Sequence, residues 1–599
     1  MKLSKIYSNY GDKFHPVLFV DGLNVVQADI TKPENKKRNS HNLGKTLFGR
    51  LIDFCLLNKR DPDFFLFKHE ELFADFVFFL ELKLANGSLV TLRRSVERAS
   101  KISFKKHRSA DQDFSNLDNR EENWDHFLVP FERAKDLLDA MLGWDAIKPW
   151  NFRKSLGYFN RTQDDYGEVF KLKRFAGAHA DWKPFLAKIM GFDGVLVESH
   201  YSIERQLDEK KNYEEAIKTG LGQQTDISKV DGLIQLKEQE IARKEHRLDE
   251  FDFREQDKEK TKELVDSVDG KIAELNAQRY SLSQNKKRVE DSLARNDILF
   301  DPEEASKLYK EAGVLFEGQI KKDFSQLIEF NKAISEERKA YLQEELGDID
   351  GELEELGSEL DQFGKKRAEM LSYLSGSNAL KKYKAISNEL VQLRADVQVL
   401  QEQRTRLHKL QNVRSEIRKL ENDLSDLEGQ VTANVSRCSE NPKSKFSMVR
   451  KYFNEIVEST INKKALLSVQ VNRNGHLEFS AEFLDDSGNS TSAAKGNTHK
   501  KLLCIAFDLA VLKAHLGGKF PRFVFHDGVF EALEPRLREN LMHTLREYVS
   551  EGIQIIITLI TSDAPKPSRT LPRVFDEKEI VLRLSDAGPN GRLFKVKSW

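Results

Sequence analysis

Residues 205 to 437 read as helix with a seven-residue beat, which limits the fold more than any other feature. Val268, Leu275, Leu282 and Val289 stand seven apart. Val265, Ile272 and Leu293 occupy the companion register, which Arg279 and Lys286 interrupt. Such a repeat buries one seam of a helix against another helix. Ile234, Ile241 and Leu248 form an earlier, weaker stretch, and proline is absent until Pro302, where Asp301-Pro302 ends the helix. Residues 300–330 read as a compact helical tip. Beyond it Leu342, Leu346, Ile349, Leu353, Leu356, Leu360 and Phe363 alternate steps of four and three. SYLSGSNALKKY (372–383) interrupts the pattern, which resumes at Leu390, Leu393, Val397, Leu400 and Leu407. A three-residue shift, a stammer, then leads into Leu410, Val413, Ile417, Leu420, Leu424 and Leu427.

At about 1.5 Å per residue the first arm's heptads span roughly 100 Å. The second arm is about 30 residues longer, and the excess is assigned to a joint near 370–383. Two arms around a tip make an antiparallel hairpin. The other arrangement is a parallel homodimeric rod. The hairpin is preferred because globular α/β sequence resumes at about 438 and needs its other half.

Both ends of the chain carry that globular pattern. At the start, LFVDGLNVV (Leu18 to Val26) is strand-like and is followed by NSHNLGKTLFGRLIDFCL (39–56). Strand, Gly44-Lys45-Thr46, then apolar residues at helical spacing (Leu47, Leu51, Phe54, Cys55) is the context of a phosphate-binding loop. A full motif has Gly five residues before Gly44; Asn39 stands there and tolerates left-handed backbone better than most residues. FADFVFFLELKLANGSLVTLRRSVE reads as a hairpin about Asn86-Gly87. Residues 127–145 and 178–191 have helical periodicity. Near the far end, 465–485 is a second hairpin and 500–516 an apolar helix. PRFVFHD (521–527) is a buried strand ending in Asp527, and QIIITLITSD (554–563) is a run suited to a covered parallel sheet.

Composition narrows the functional classes. In 599 residues, 96 Lys and Arg balance 97 Asp and Glu for a net charge of −1, so any nucleic-acid contact must be a local patch. One such run is Arg93, Arg94, Arg98, Lys101, Lys105, Lys106 and Arg108, which reads as a solvated face or a phosphate-facing one. Cys55, Cys438 and Cys504 are too far apart for a disulfide framework or a cysteine metal site. His15, His41 and His526 show no metal-ligand spacing with one another. No apolar run of membrane-spanning length and no export signal is evident, so the expectation is a cytoplasmic protein without a membrane partner.

NLGKTLFGRLIDFCL, YFNRTQDDY, KKLLCIAFDLA and FHDGVFEAL, in this layout, resemble SMC- and RecN-like ABC-type ATPases. They most resemble the bacterial YydD-like family of three-component ABC conflict systems. The resemblance implies an α/β fold: a split ABC-type ATPase head, its N- and C-terminal lobes interrupted by a long antiparallel α-helical coiled-coil insertion. The implied divisions are 1–204 (N-terminal lobe), 205–299 (ascending arm), 300–330 (tip), 331–437 (descending arm, with the joint) and 438–599 (C-terminal lobe).

It also implies ATP and Mg²⁺. Asn39, Asn42, Gly44, Lys45, Thr46 and Leu47 would cradle the phosphates, and Thr46, Gln163 and Asp527 would serve the metal. Gln163 takes the position of the glutamine that senses the metal and the attacking water. The catalytic glutamate of this class directly follows the strand-terminal Asp, but here Gly528 stands there. Glu531 and Glu534 are the nearest replacements, with Glu531 preferred, and slow hydrolysis is the expectation if neither reaches. LSGGQ is absent. GNSTSAAKGNTHKK (488–501) takes its place, with Ser492, Lys495, Gly496 and Asn497 able to clamp a γ-phosphate of the opposite subunit. Thr561 falls near the switch-loop histidine position. The expected function is a head-to-head homodimeric ATPase coupled to DNA sensing or to separate effector and accessory subunits, in antiphage defence. A RecN-like DNA-repair ATPase and a nucleotide-regulated scaffold with little turnover are the alternatives.

Overall fold

The structure, a computed structural model, describes residues 1–30, 43–117, 120–172, 179–219, 226–249, 255–294, 319–372, 378–485, 487–489 and 497–597. The chain divides into two compact units, one formed by Met1–Arg205 with Asn422–Trp599 and the other by Gln206–Glu421.

Among the described residues the first unit holds three sheets. The strands before the helical insertion are β1 (Lys2–Ser8), β2 (Val17–Leu18), β3 (Leu23–Asp29), β4 (Val77–Lys83), β5 (Leu89–Ser95), β6 (Lys101–His107), β7 (His126–Pro130) and β8 (Asn160–Arg161). After it come β9 (Lys464–Val471), β10 (Leu477–Leu484), β11 (Phe523–His526), β12 (Gln554–Ile560) and β13 (Ile580–Ser585). One sheet is antiparallel, in the order β2-β1-β4-β5-β6-β7, and β9 and β10 form a separate hairpin. The third sheet is parallel, in the order β13-β3-β12-β11-β8.

That last order interleaves the two ends of the polypeptide. Strand β3 lies between β12 and β13, with Leu23 to Ala28 paired to Ile555 to Ile560. Strand β8 lies beside β11, Arg161 opposite His526. The apolar runs of β3, β11 and β12 are explained by burial on both faces. Helix α1 (Lys45–Cys55) packs Phe48, Leu51 and Ile52 into the same core as Phe507, Phe525 and Ile556. The Gln554 amide ties the two sheets: it donates to the carbonyls of Leu3 and Val20, at 2.8 and 2.9 Å, and accepts from Leu3 N at 2.8 Å.

Two local expectations change. Leu18 and Val26 belong to different sheets, because the Asn24 side chain bonds Val20 N, Val20 O and Gly22 O and turns the chain between them. Residues 127–145 begin as β7, and their helix starts only at Phe131, with Pro130 at its N-cap.

Helix α2 (Gly194–Thr219) leads out of the first unit's sequence, and α3 (Ile227–Asp249), α4 (Glu255–Ala294), α5 (Gln319–Ser372) and α6 (Asn378–Glu440) follow. Within the second unit the helices pair antiparallel. Asp231, Lys237 and Lys244 of α3 meet Arg404, Asp396 and Glu389 of α6, stepping in opposite directions. Asp269 and Lys286 of α4 likewise meet Arg367 and Asp350 of α5. Val230, Ile234, Val397, Leu407 and Leu410 form one buried seam. Helix α6 runs unbroken through the stammer, where Leu407 and Leu410 are both buried. Helix α5 ends at Ser372 and α6 begins at Asn378. Near these two helix ends Val265, Leu371 and Tyr383 cluster, and buried Asp269 bonds both Arg367 and Ser387. Residues 300–318 of the expected tip lie outside the described residues.

Candidate functional site

Helix α1 begins at Gly44, whose φ of +103° suits glycine. The first turn leaves backbone N–H groups free to meet an anion. Lys45 and Thr46 open this helix, and their side chains meet Glu531 and Asp527, which follow β11. The Thr46 hydroxyl donates to Asp527 Oδ2 at 2.6 Å. The buried Lys45 ammonium lies 3.4 Å from Glu531 Oε1. Gln163, in a one-turn helix after β8, donates from Nε2 to both Glu531 oxygens, at 3.0 and 2.9 Å. Five residues separated by up to 486 positions thus share one site.

Gly528 explains how Glu531 gets there. Its φ is +63°, and a Cβ built on it would fall 2.7 Å from the Glu531 carboxyl carbon. The missing side chain leaves the space that the Glu531 carboxylate fills. Glu534 sits at the N-cap of the helix Pro535–Ser550, exposed and away from this cluster. Leu47 follows on α1, half-buried. Asn39, Asn42, Ser492, Lys495 and Gly496 lie outside the described residues.

Three contributors escape a reading of the sequence. Lys501, in helix α8 (Asn497–Ala514; α7 is Lys445–Ile461), donates to the Gly528 carbonyl at 2.8 Å and lies 3.9 Å from Glu531 Oε2. Burial pushes its ammonium below the usual lysine range, while Glu531 and Asp527 pull it back up. Its signal was the spacing of Lys501, Cys504 and Asp508 on one face of a helix, whereas the neighbouring Lys500 turns to the Gly167 carbonyl. Thr558 donates to Asp527 Oδ1 and accepts from Gly528 N, so it and not Thr561 braces the aspartate. Thr561 is engaged by Gln27, Ala28 and Asp29 instead.

The third is a buried ion pair behind the site. Arg161 donates from Nε and Nη2 to Asp508, at 2.6 and 2.9 Å, and to the carbonyls of Asp165, Glu168 and Val169. His526 Nε2 lies 3.1 Å from Asp508. Asp508 and Asp165 outweigh burial and raise the Arg161 guanidinium above its usual range. This network holds the Gln163 segment against α8 and β11.

The basic run from Arg93 divides. Arg94 is fully buried, donates to the carbonyls of Phe54, Asn58 and Ala99, and stacks on Phe54 at 4.0 Å. It caps the C-terminal end of α1, the end remote from Lys45. Arg93 lies over Trp124, and Lys105 donates to the Asn123 carbonyl.

A family described as an uncharacterised protein conserved in bacteria (DUF2326) matches residues 456–598. No curated protein matches in sequence. Among solved structures, the Smc head domain with a coiled coil and joint from Pyrococcus yayanosii is 14% identical, covering 93% of this chain and 92% of that one, with a TM-score of 0.33. The Smc head domain with an extended coiled coil from Pyrococcus furiosus, bound to the C-terminal domain of ScpA, is 13% identical over 94% and 91%, with a TM-score of 0.31. The SMC head domain from Thermotoga maritima is 16% identical over 23% and 45%, with a TM-score of 0.15. The α/β head split by an antiparallel helical insertion rests on the strand order and helix pairing described above. Among the described residues no helix is long and apolar enough to cross a membrane.

Proposed function

We propose that this chain is an SMC-type ATPase whose heads close on ATP and separate after hydrolysis. The observation that supports it is the meeting of Lys45, Thr46, Gln163, Asp527 and Glu531 in one site drawn from both ends of the chain. The Thr46 hydroxyl and the Asp527 carboxylate are hard oxygen donors of the kind Mg²⁺ takes, and they would hold it. Bound there, the ion would neutralise charge on the β- and γ-phosphates.

The chain's own groups supply the rest. Lys45, now turned to Glu531, would swing to the phosphates when ATP enters. Released, Glu531 takes the proton of the attacking water as the bond to the leaving β-phosphate oxygen breaks. Gln163 and Lys501 hold the Glu531 carboxylate in place from two sides. Ser492, Lys495 and Gly496 of a second copy would clamp the γ-phosphate and close the dimer. The helical insertion would pass head closure to DNA or to separate effector and accessory subunits, with antiphage defence as the setting that the YydD-like resemblance favours.

A nucleotide-regulated scaffold with little turnover is the second reading, favoured by Gly528 in the glutamate's place. Phosphate release by wild type and Lys45→Ala separates the two. The enzyme reading expects a loss of about 100-fold or more. Equal, background-level release by both proteins eliminates it. In the same assay Glu531→Gln should abolish turnover while trapping an ATP-bound dimer, visible as a doubled mass in light scattering. Unchanged turnover removes Glu531 as the base.

A further inference from the structure

A second polar cluster lies in the first unit, built from residues none of which belongs to the nucleotide site. His200 and Glu204 are four apart on α2 and so share one helical face. His476 comes from the turn joining β9 and β10. One ligand atom from each of the three lies within 4.8 Å of the other two. His200 is 1% exposed, and its Nε2 has no hydrogen-bond partner. His476 Nδ1 is also buried without a partner, while its Nε2 lies 3.1 Å from Glu204 Oε1. A second carboxylate, Glu428 of α6, has Oε1 3.8 Å from His200 Nε2.

The surroundings hold these groups in place. Tyr201 stacks on the His476 ring at 4.6 Å. The Asn472 side chain accepts from His476 N at 3.0 Å and fixes the turn. Gly475, with φ +74°, presses so close that a Cβ there would fall 2.6 Å from both His200 Nε2 and Glu428 Cγ. A buried, unpartnered imidazole nitrogen is costly unless something binds its lone pair.

We propose that His200, Glu204 and His476 bind a divalent transition metal of the zinc class, with Glu428 beside them as a fourth donor. Two imidazoles and a carboxylate are a donor set that zinc accepts, at about 2.0–2.2 Å from each atom. Loading draws the three ligand atoms slightly together. The ion ties α2, from the N-terminal half of the head, to the β9–β10 hairpin of the C-terminal half. Its role is structural, because it joins two elements and none of its ligands contacts Lys45, Asp527 or Glu531 among the described contacts.

The test uses the untagged full-length protein, stripped with a chelator and titrated with Zn²⁺ by calorimetry, with Co²⁺ as a spectroscopic probe. One high-affinity Zn²⁺ per chain is expected, with a visible Co²⁺ spectrum that Zn²⁺ displaces. His476→Gln, in a turn, and Glu204→Gln, on a half-exposed helix face, should each weaken binding by about 10- to 100-fold or more. Circular dichroism checks that each variant is folded. Absence of stoichiometric Zn²⁺ binding by the wild type overturns the site, as does binding that both variants retain in full. Because the readout is metal content and not phosphate release, its failure is distinct from failure of the nucleotide reading.

Discussion

Gly528 takes φ +63° directly after Asp527, and the Glu531 carboxylate fills the space above it. Gly528→Ala therefore meets two obstacles: a left-handed backbone and a Cβ inside the carboxylate. We expect it to cost about 1–3 kcal/mol of stability. It should also lower phosphate release, because the added Cβ displaces the Glu531 carboxylate from its place. A Gly528→Ala protein with wild-type melting and turnover would contradict the packing argument. Lys501 makes a separate claim on the same carboxylate. Lys501→Met should slow hydrolysis while leaving ATP binding near that of wild type, measured by calorimetry, because its ammonium faces Glu531 and the Gly528 carbonyl.

The Gln163 segment and helix α8 come from opposite ends of the chain, and Arg161 with Asp508 is a buried ion pair between them. Both side chains are fully buried, and the guanidinium is satisfied by the carboxylate and three backbone carbonyls. Removing one partner strands the other in the core, at a cost of about 3–5 kcal/mol. Arg161→Met should lower the denaturation midpoint accordingly. The double variant with Asp508→Leu should recover only the part due to the stranded charge, because the three carbonyls and His526 still lose their partners. If Arg161→Met melts like wild type, the pair is not what fastens Gln163 in place.

Interleaving of β3 between β12 and β13 means that neither half of the head completes the parallel sheet alone. Residues 1–205 expressed alone should stay unfolded or aggregate, because β3 then presents unpaired apolar edges. Co-expressed with residues 422–599 they should assemble into a soluble complex, as judged by co-purification and circular dichroism. A stable, monomeric 1–205 fragment would show that the halves fold independently. Within the second unit, the heptad seams and the opposed ion pairs between α3 and α6 describe one antiparallel pairing.

Much of this was legible in the residues. Periodicity decides which faces of a helix or strand can be buried, so the heptads announced paired helices, and the apolar runs at 521–527 and 554–560 announced a covered parallel sheet. Gly44-Lys45-Thr46 before apolar residues at helical spacing marked the start of a helix, because local backbone geometry needs only neighbours in sequence. The partners of those groups were another matter. That Lys501 rather than Lys500 reaches the site, that Thr558 braces Asp527, that Arg94 caps α1, and that His200 and His476 face each other all depend on contacts between different elements, none closer than 27 residues in sequence. Such contacts are selected by packing of the whole core, which no local pattern encodes.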